Sequence, residues 1–167
     1  MMRTAAVLTV SDSAARGERP DLSGPATAEL LRQYGFDIVH QEIVLDEQAA
    51  IEWALVRMAQ QAQLVVTTGG TGIAERDVTP EATRAVCSKL IEGIPERMRA
   101  DGRSKTPLAI LSRGVCGIRD HSLILNLPGS PTAASESLLA VIEVLPHSLD
   151  LLAGHTVHEP GKPPEDA

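Results

Sequence analysis

Leu64-Val65-Val66-Thr67-Thr68-Gly69-Gly70-Thr71-Gly72 joins an apolar, β-branched run to three glycines in four positions. Five residues of this composition, bounded by glycine, make a short buried strand rather than a helix. The turn that follows admits positive φ values and lets backbone N–H groups come close to a ligand. Successive N–H groups in such a turn form a concavity for anions, and the Thr68 and Thr71 hydroxyls add donors. A turn required only for packing is the plainer alternative, although one glycine normally suffices for that.

Working outward, the same strand-then-polar-turn pattern recurs. Ala5–Val10 is a buried strand ended by Ser11-Asp12-Ser13, and Gly17 to Gly24 is a loop. A helix from Ser23 carries Ala26, Leu30 and Leu31 near helical spacing and closes on Gly35. Phe36–His40 with Glu42–Leu45 makes the second strand. Asp46 starts a helix whose apolar stripe is Ile51, Ala54, Leu55 and Met58. Beyond the glycine turn, Thr79 is expected as N-cap with Pro80 at the first helical position. Leu108–Leu111 is expected as a buried strand leading into Ser112-Arg113-Gly114. Ser122–Leu127 is a further strand, and it ends in Pro128-Gly129-Ser130-Pro131. A last helix runs from about Thr132 to Leu152, kinked or divided at Pro146.

This order predicts a three-layer α/β/α sandwich with a mostly parallel central sheet over residues 1–154. Residues 155–167 form a polar, Pro-rich tail, expected as an extended or disordered arm. Ligands of such sheets bind outside the carboxyl ends of the strands. Ser11-Asp12, Asp46, Gly69–Gly72, Ser112-Arg113 and Pro128–Pro131 are all placed by this pattern on one rim.

The 167 residues are enough for a sizeable core, and 43% hydrophobic with 22% charged residues is an ordinary globular balance. Aromatics are only 2%, so few stacking platforms exist for single-stranded nucleic acid. A net charge of −7 argues against broad attraction to nucleic acid or anionic lipid. Phosphate would have to be held by local groups. Cys87 and Cys116 lack metal-type spacing and suit two buried thiols in a reducing compartment. No signal peptide and no apolar run near the ~20 residues of a membrane span is seen, so the expected location is cytoplasmic.

Two phosphate-binding fingerprints fail at the glycine turn. No Lys follows as a P-loop requires, and the dinucleotide pattern meets Glu75 where its third glycine belongs. The segment Glu75-Arg76-Asp77-Val78-Thr79-Pro80-Glu81 instead sets carboxylates one turn from the glycines. Asp77 there is a natural magnesium ligand, or else a helix cap. Glu81 serves the ligand or only the helix dipole. Asp46, Ser11 and Asp12 are either site residues or solvated caps. Arg113, joined by Arg119, presents a guanidinium to phosphate or sits in a surface ion pair. The amides of Pro128–Pro131 and the Ser130 hydroxyl contact ligand or only stiffen the turn. His40, His121, His147, His155 and His158 do not cluster into a metal site.

Taken in order, Leu8-Thr9-Val10-Ser11-Asp12-Ser13, Asp46-Glu47, Thr68-Gly69-Gly70-Thr71-Gly72, Arg76-Asp77-Val78-Thr79-Pro80-Glu81-Ala82, Ser112-Arg113 and Leu127-Pro128-Gly129-Ser130-Pro131 resemble the molybdopterin adenylyltransferase family. The resemblance covers residues 5 to about 153 and extends to the domain shared with gephyrin. Thr71-Gly72 and the short chain favour this branch over the molybdenum insertases, which usually carry Val-Ser there.

The resemblance implies Mg2+-ATP-dependent adenylylation of molybdopterin, with ATP and molybdopterin as substrates and pyrophosphate leaving. It implies catalytic roles for Asp46 and Asp77, with Asp77 organising magnesium. Thr68, Gly69, Gly70, Thr71 and Gly72 would cradle phosphate. Ser11, Asp12, Thr79, Glu81, Ser112, Arg113, Pro128, Gly129 and Ser130 would complete the ligand pocket. A homotrimer or hexamer and hand-off to a molybdenum insertase are implied in the same way. The alternatives are a catalytically weak molybdopterin-binding or carrier paralogue, and a nucleotide-dependent enzyme outside molybdenum metabolism on the same scaffold.

Overall fold

A computed structural model of the protein describes residues 2–155. Except for His155, the expected tail lies outside the described residues. The elements run β1 (Arg3–Val10), α1 (Asp12–Ala15), α2 (Ser23–Gln33), β2 (Phe36–Val44), α3 (Gln48–Ala59), β3 (Leu64–Thr68) and α4 (Thr79–Val86). They continue with β4 (Lys89–Leu90), α5 (Gly93–Arg103), a 3-10 turn (Pro107–Leu111), β5 (Cys116–Arg119), β6 (Ser122–Leu127), α6 (Pro131–Val141), a second 3-10 turn (Ile142–Val144) and α7 (Leu145–Leu152).

The six strands form one sheet in the order β2-β1-β3-β6-β5-β4. β2, β1, β3 and β6 are parallel, whereas β5 and β4 pair antiparallel at one edge. Alternation along β1 divides the core. Ala5 and Val7 face a layer made by α2, α5, α6 and α7, with Ala28, Leu31, Met98, Leu138 and Leu149. Ala6, Leu8 and Val10 face α3 and α4, with Ile51, Leu55, Met58 and Ala82. Both faces are therefore covered, which is why β1, β3 and β6 are apolar almost throughout. Each fully buried large side chain contributes about 1.5–3 kcal/mol, so packing of these apolar faces supplies more of the helices' stability than intrinsic propensity does.

The expected three-layer sandwich is the architecture found, with corrections at three places and the last helix divided as expected. Leu108–Leu111 is no strand. Thr106 caps it by accepting from Leu108 N–H, Pro107 opens a 3-10 turn, and Leu108 and Ile110 are 68% and 62% exposed. A four-residue apolar run does not distinguish a strand from a turn, and the Thr-Pro start signal decides. The edge strands β4 and β5 and the helix α5 are additions to the expected order. β4 is two residues long and β5 contains Gly117, packed against Cys87. Thr79 is not the N-cap of α4 but its first residue; Val78 precedes the helix, and the Thr79 hydroxyl donates instead to Gly69 O at 3.0 Å. The last helix is divided, as Pro146 allows: the chain turns through Ile142–Val144 and Pro146 enters the first turn of α7, where a missing N–H costs nothing. Among the described residues no helix is long and apolar enough to cross a membrane.

Candidate active site

The parallel strands end together, and the segments that follow them converge on one rim. At the end of β1, Ser11 caps α1 by accepting from Ala14 N–H at 3.2 Å. Asp12 and Asp46, after β1 and β2, exchange hydrogen bonds: Asp12 N–H donates to Asp46 Oδ2 at 2.9 Å, and Asp46 N–H donates to Asp12 Oδ1 at 3.0 Å. Arg76 reaches across to Asp12 with two bonds of 2.6 and 2.8 Å. That pairing holds the Asp12 carboxyl below its ordinary value. The Asp46 carboxyl is raised, chiefly by burial, with the neighbouring charges of Asp12 and Asp77 adding to it.

The glycines after β3 have a structural reason beyond ligand access. Gly70 holds φ +68 beneath Asp46 and Thr79, with Asp46 Oδ1 only 3.3 Å from where a Cβ would lie. A Cβ on Gly72 would stand 2.7 Å from Asp77 Oδ2. Two carboxylates thus stand beside the same loop: a side chain at Gly72 would push Asp77 away, and one at Gly70 would collide first with the Thr79 hydroxyl. Asp77 is further fixed by accepting from Ala74 N–H at 3.0 Å, while its own N–H donates to Ala74 O at 3.0 Å.

Behind the loop lies a buried polar network. Asn126, 1% exposed, donates to Thr67 Oγ1 at 3.1 Å and Thr83 Oγ1 at 2.9 Å, and accepts from Val115 N–H at 3.1 Å. Thr68 pairs with Ser23 at 2.9 Å. These ties link β3, β6, α2 and α4, so the loop stands on a rigid base.

Two cavities open at the rim. One, of about 470 Å³, is lined by Gly70, Thr71, Gly72 and Asp77, by Ser112, and by Pro128 and Gly129. Arg99, Lys105, Met98 and Leu108 complete it from α5 and the turn after it. The other, of about 480 Å³, is lined by Ser11, Ser13, Arg19, Ser23, Gly129 and Ser130. Gly129 borders both, so the cavities adjoin. Asp12, Asp46, Thr68, Gly69, Thr79 and Glu81 line neither and support the loop from below or beside it.

Arg113 reaches the rim, and its guanidinium, although the side chain is 38% exposed, is taken up by protein groups. Nε donates to Gly72 O at 2.7 Å, Nη2 donates to Asp77 O at 2.7 Å, and Nη1 pairs with Glu81. The hydrogen bond from Arg113 keeps the Glu81 carboxyl below its ordinary value. Arg119 donates to Val86 O at 2.8 Å instead of joining a ligand pocket. Burial pushes the Cys87 thiol up to about 11 and Cys116 up to about 12, so both remain protonated and poor nucleophiles.

Arg99, Lys105 and Asn126 were missed by sequence reasoning. Asn126 carried a usable signal, a lone amide in the run Leu123-Ile124-Leu125-Asn126-Leu127. Arg99 and Lys105 carried none, because α5 itself was not anticipated.

Among the described residues, no group of three or more His, Cys, Asp or Glu side chains is arranged to hold a metal. Magnesium does not require one: it usually takes one or two carboxylates and completes its shell with water and phosphate oxygens. Asp77, beside the glycine loop, and the raised Asp46 carboxyl, whose Oδ1 faces that loop, fit such a donor set. A cation would relieve the like-charge crowding that Arg76, committed to Asp12, leaves in place.

The chain is similar to known proteins in sequence and fold. The family described as "Probable molybdopterin binding domain" matches residues 6–147. The molybdopterin adenylyltransferase of Helicobacter pylori strain J99 is 48% identical over 153 residues, covering 89% of this chain and 87% of its own. The Escherichia coli K12 protein of the same name is 42% identical over 140 residues, covering 81% and 71%. The crystal structure of the molybdopterin biosynthesis enzyme MoaB from Thermus thermophilus superposes with a TM-score of 0.87 at 48% identity, covering 92% of this chain and 98% of that one.

Proposed function

The chain belongs to the molybdopterin adenylyltransferase family of molybdenum cofactor biosynthesis, and from that premise we propose that it transfers the adenylyl group of ATP to molybdopterin. The terminal phosphate oxygen of molybdopterin attacks the α-phosphorus of ATP. The bond from that phosphorus to the bridging oxygen breaks, and pyrophosphate leaves with the electron pair. Both reactants are phosphates, so catalysis is positioning and charge neutralisation rather than covalent chemistry on the protein.

One observation carries the reading: Asp77 and Gly70–Gly72 line the first of two adjoining cavities, and the Asp46 carboxylate stands beside the same loop. Two cavities of similar size suit two substrates, and Gly129 between them puts their contents within reach of each other. The loop amides of Gly70–Gly72 serve as donors to phosphate. Asp77 and Asp46 would hold magnesium, which when bound neutralises charge on the triphosphate. Ser11, Ser112 and Ser130 offer hydroxyls along the cavity walls. A homotrimer or hexamer, a cytoplasmic location and delivery of the product to a molybdenum insertase belong to the same proposal.

The test is formation of adenylylated molybdopterin from ATP, magnesium and molybdopterin, with Asp77→Asn as the paired variant. Product from the wild type, reduced at least about 100-fold in the variant, is expected if Asp77 positions the transferring group. Molybdopterin binding without any product would leave a carrier in place of the enzyme. ATP turnover without molybdopterin would point to different nucleotide chemistry.

A further inference from the structure

Residues 73–76 make an exposed excursion, with Ile73 72% exposed, yet Asp77 at its end must stand accurately over Gly72. Inside the excursion the hydrogen bonds are local, between Ala74 and Asp77. Its tie to α1 is the solvent-exposed Arg76–Asp12 pair. The two ends of the excursion, however, are gripped by a single side chain, since Arg113 donates to Gly72 O and to Asp77 O, each at 2.7 Å.

Arg113 is itself well anchored. Its N–H donates to Thr71 O at 2.8 Å, Arg99 donates to Gly114 O at 3.2 Å, and Val115 N–H donates to buried Asn126. Glu81 on α4 takes the remaining side of the fork. The guanidinium lines neither large cavity. It borders a smaller hollow of about 240 Å³ with Arg84 and Glu96.

We propose that Arg113 is the positioning residue of this site: its guanidinium fork fixes the separation of the glycine loop from the acidic turn, and so sets where the Asp77 carboxylate stands, without touching substrate. A planar fork with donors at fixed angles can hold two carbonyls and a carboxylate at once. An ammonium is a point charge on a flexible stem and cannot reproduce that span. The proposal rests on the role given to Asp77 above.

The experiment compares Arg113→Lys, Arg113→Gln and Glu81→Gln with the wild type. It records kcat, the KM of each substrate, the thermal midpoint, and hydrogen exchange of the Ala74 and Asp77 amides. In Arg113→Lys, kcat is expected to fall about 10- to 100-fold, the scale of a misplacement of about 1 Å, while both KM values stay within about threefold. Arg113→Gln falls by the same factor, because the fork and not the charge is at work. Glu81→Gln, which keeps both carbonyl bonds, falls less. Exchange at Ala74 and Asp77 rises about tenfold or more in Arg113→Lys with core amides unchanged. Full activity in Arg113→Lys with a raised KM in Arg113→Gln would make Arg113 a charged substrate ligand and overturn the proposal. Unchanged exchange overturns it as well. If even the wild type makes no product, the exchange result still decides the positioning role, and it is the adenylylation reading that fails.

Discussion

Gly72→Ala isolates the placement of Asp77 from its charge. Gly72 does not have positive φ, so alanine is compatible with the backbone, and the conflict is with one atom: the new Cβ would lie 2.7 Å from Asp77 Oδ2. A comfortable carbon–oxygen contact is about 3.4 Å, so the carboxylate must retreat by roughly 0.7 Å, a distance of the order that costs active sites up to about 100-fold. That retreat strains the 3.0 Å bond from Ala74 N–H, costing about 0.5–1.5 kcal/mol. Replacing glycine restricts the unfolded chain and returns about 0.4–1 kcal/mol. The two terms nearly cancel. Gly72→Ala is therefore expected to melt within about 3 °C of the wild type while its adenylylation rate falls about 10- to 100-fold. Calorimetry and initial rates with saturating ATP and molybdopterin measure the two separately. The double variant with Asp77→Asn should be no slower than Asp77→Asn alone, because both lesions act on one carboxylate. A Gly72→Ala protein that is fully active, or additive losses in the double variant, would refute the reasoning.

Two further outcomes concern stability. Asn126→Ala removes two buried donors and an acceptor and leaves Val115 N–H unpaired, so it should cost about 2–4 kcal/mol and lower the thermal midpoint by about 5–15 °C; a shift under about 2 °C would mean the network does not brace the loop. Glu42 gives a pH dependence. Burial acts to raise its carboxyl, but hydrogen bonds from Arg57 and His40 outweigh this and hold it below its ordinary value. A carboxyl depressed in the folded state stabilises the protein above its unfolded value of about 4.3 and loses that contribution as pH falls below it. Urea titrations from pH 7 to 3 should therefore show Glu42→Gln less stable than the wild type by about 1 kcal/mol at pH 7, the gap closing toward pH 3; a gap that stays constant with pH would exclude the titration of Glu42 as its source.

The centre of the parallel sheet was legible because β1, β3 and β6 are buried on both faces and so spell largely apolar runs. Ala5–Val10, Leu64–Thr68 and Ser122–Leu127 announce themselves this way. The antiparallel edge did not, since Lys89–Leu90 is too short for any period and Cys116–Arg119 holds a glycine and an arginine. Ser112 and Arg113 illustrate the difference between place and cause. The sequence pattern sets them on the rim as residues following a strand, whereas they precede one. β5 runs against β6, with Cys116 opposite Leu125, so its beginning and not its end lies at the rim. Proximity of Asp46 and Asp77 to the glycines was suggested by pattern alone. That Gly70 makes room for the Thr79 hydroxyl and Gly72 for the Asp77 carboxylate is a steric fact no local window contains.

The position of β6 between β3 and β5 has a consequence for how the chain can be made. Until Ser122–Leu127 exists, the first three strands and the last pair have no common ladder, so a nascent chain stopped before Ser122 holds two separate ribbons. Each would expose an unpaired border, β3 on one and β5 on the other, and open borders of this kind invite pairing between molecules. Completion is thus concentrated in six late residues that stitch the two ribbons together. Arg113 and Asp77, 36 positions apart in sequence, meet at the rim where β6 ends.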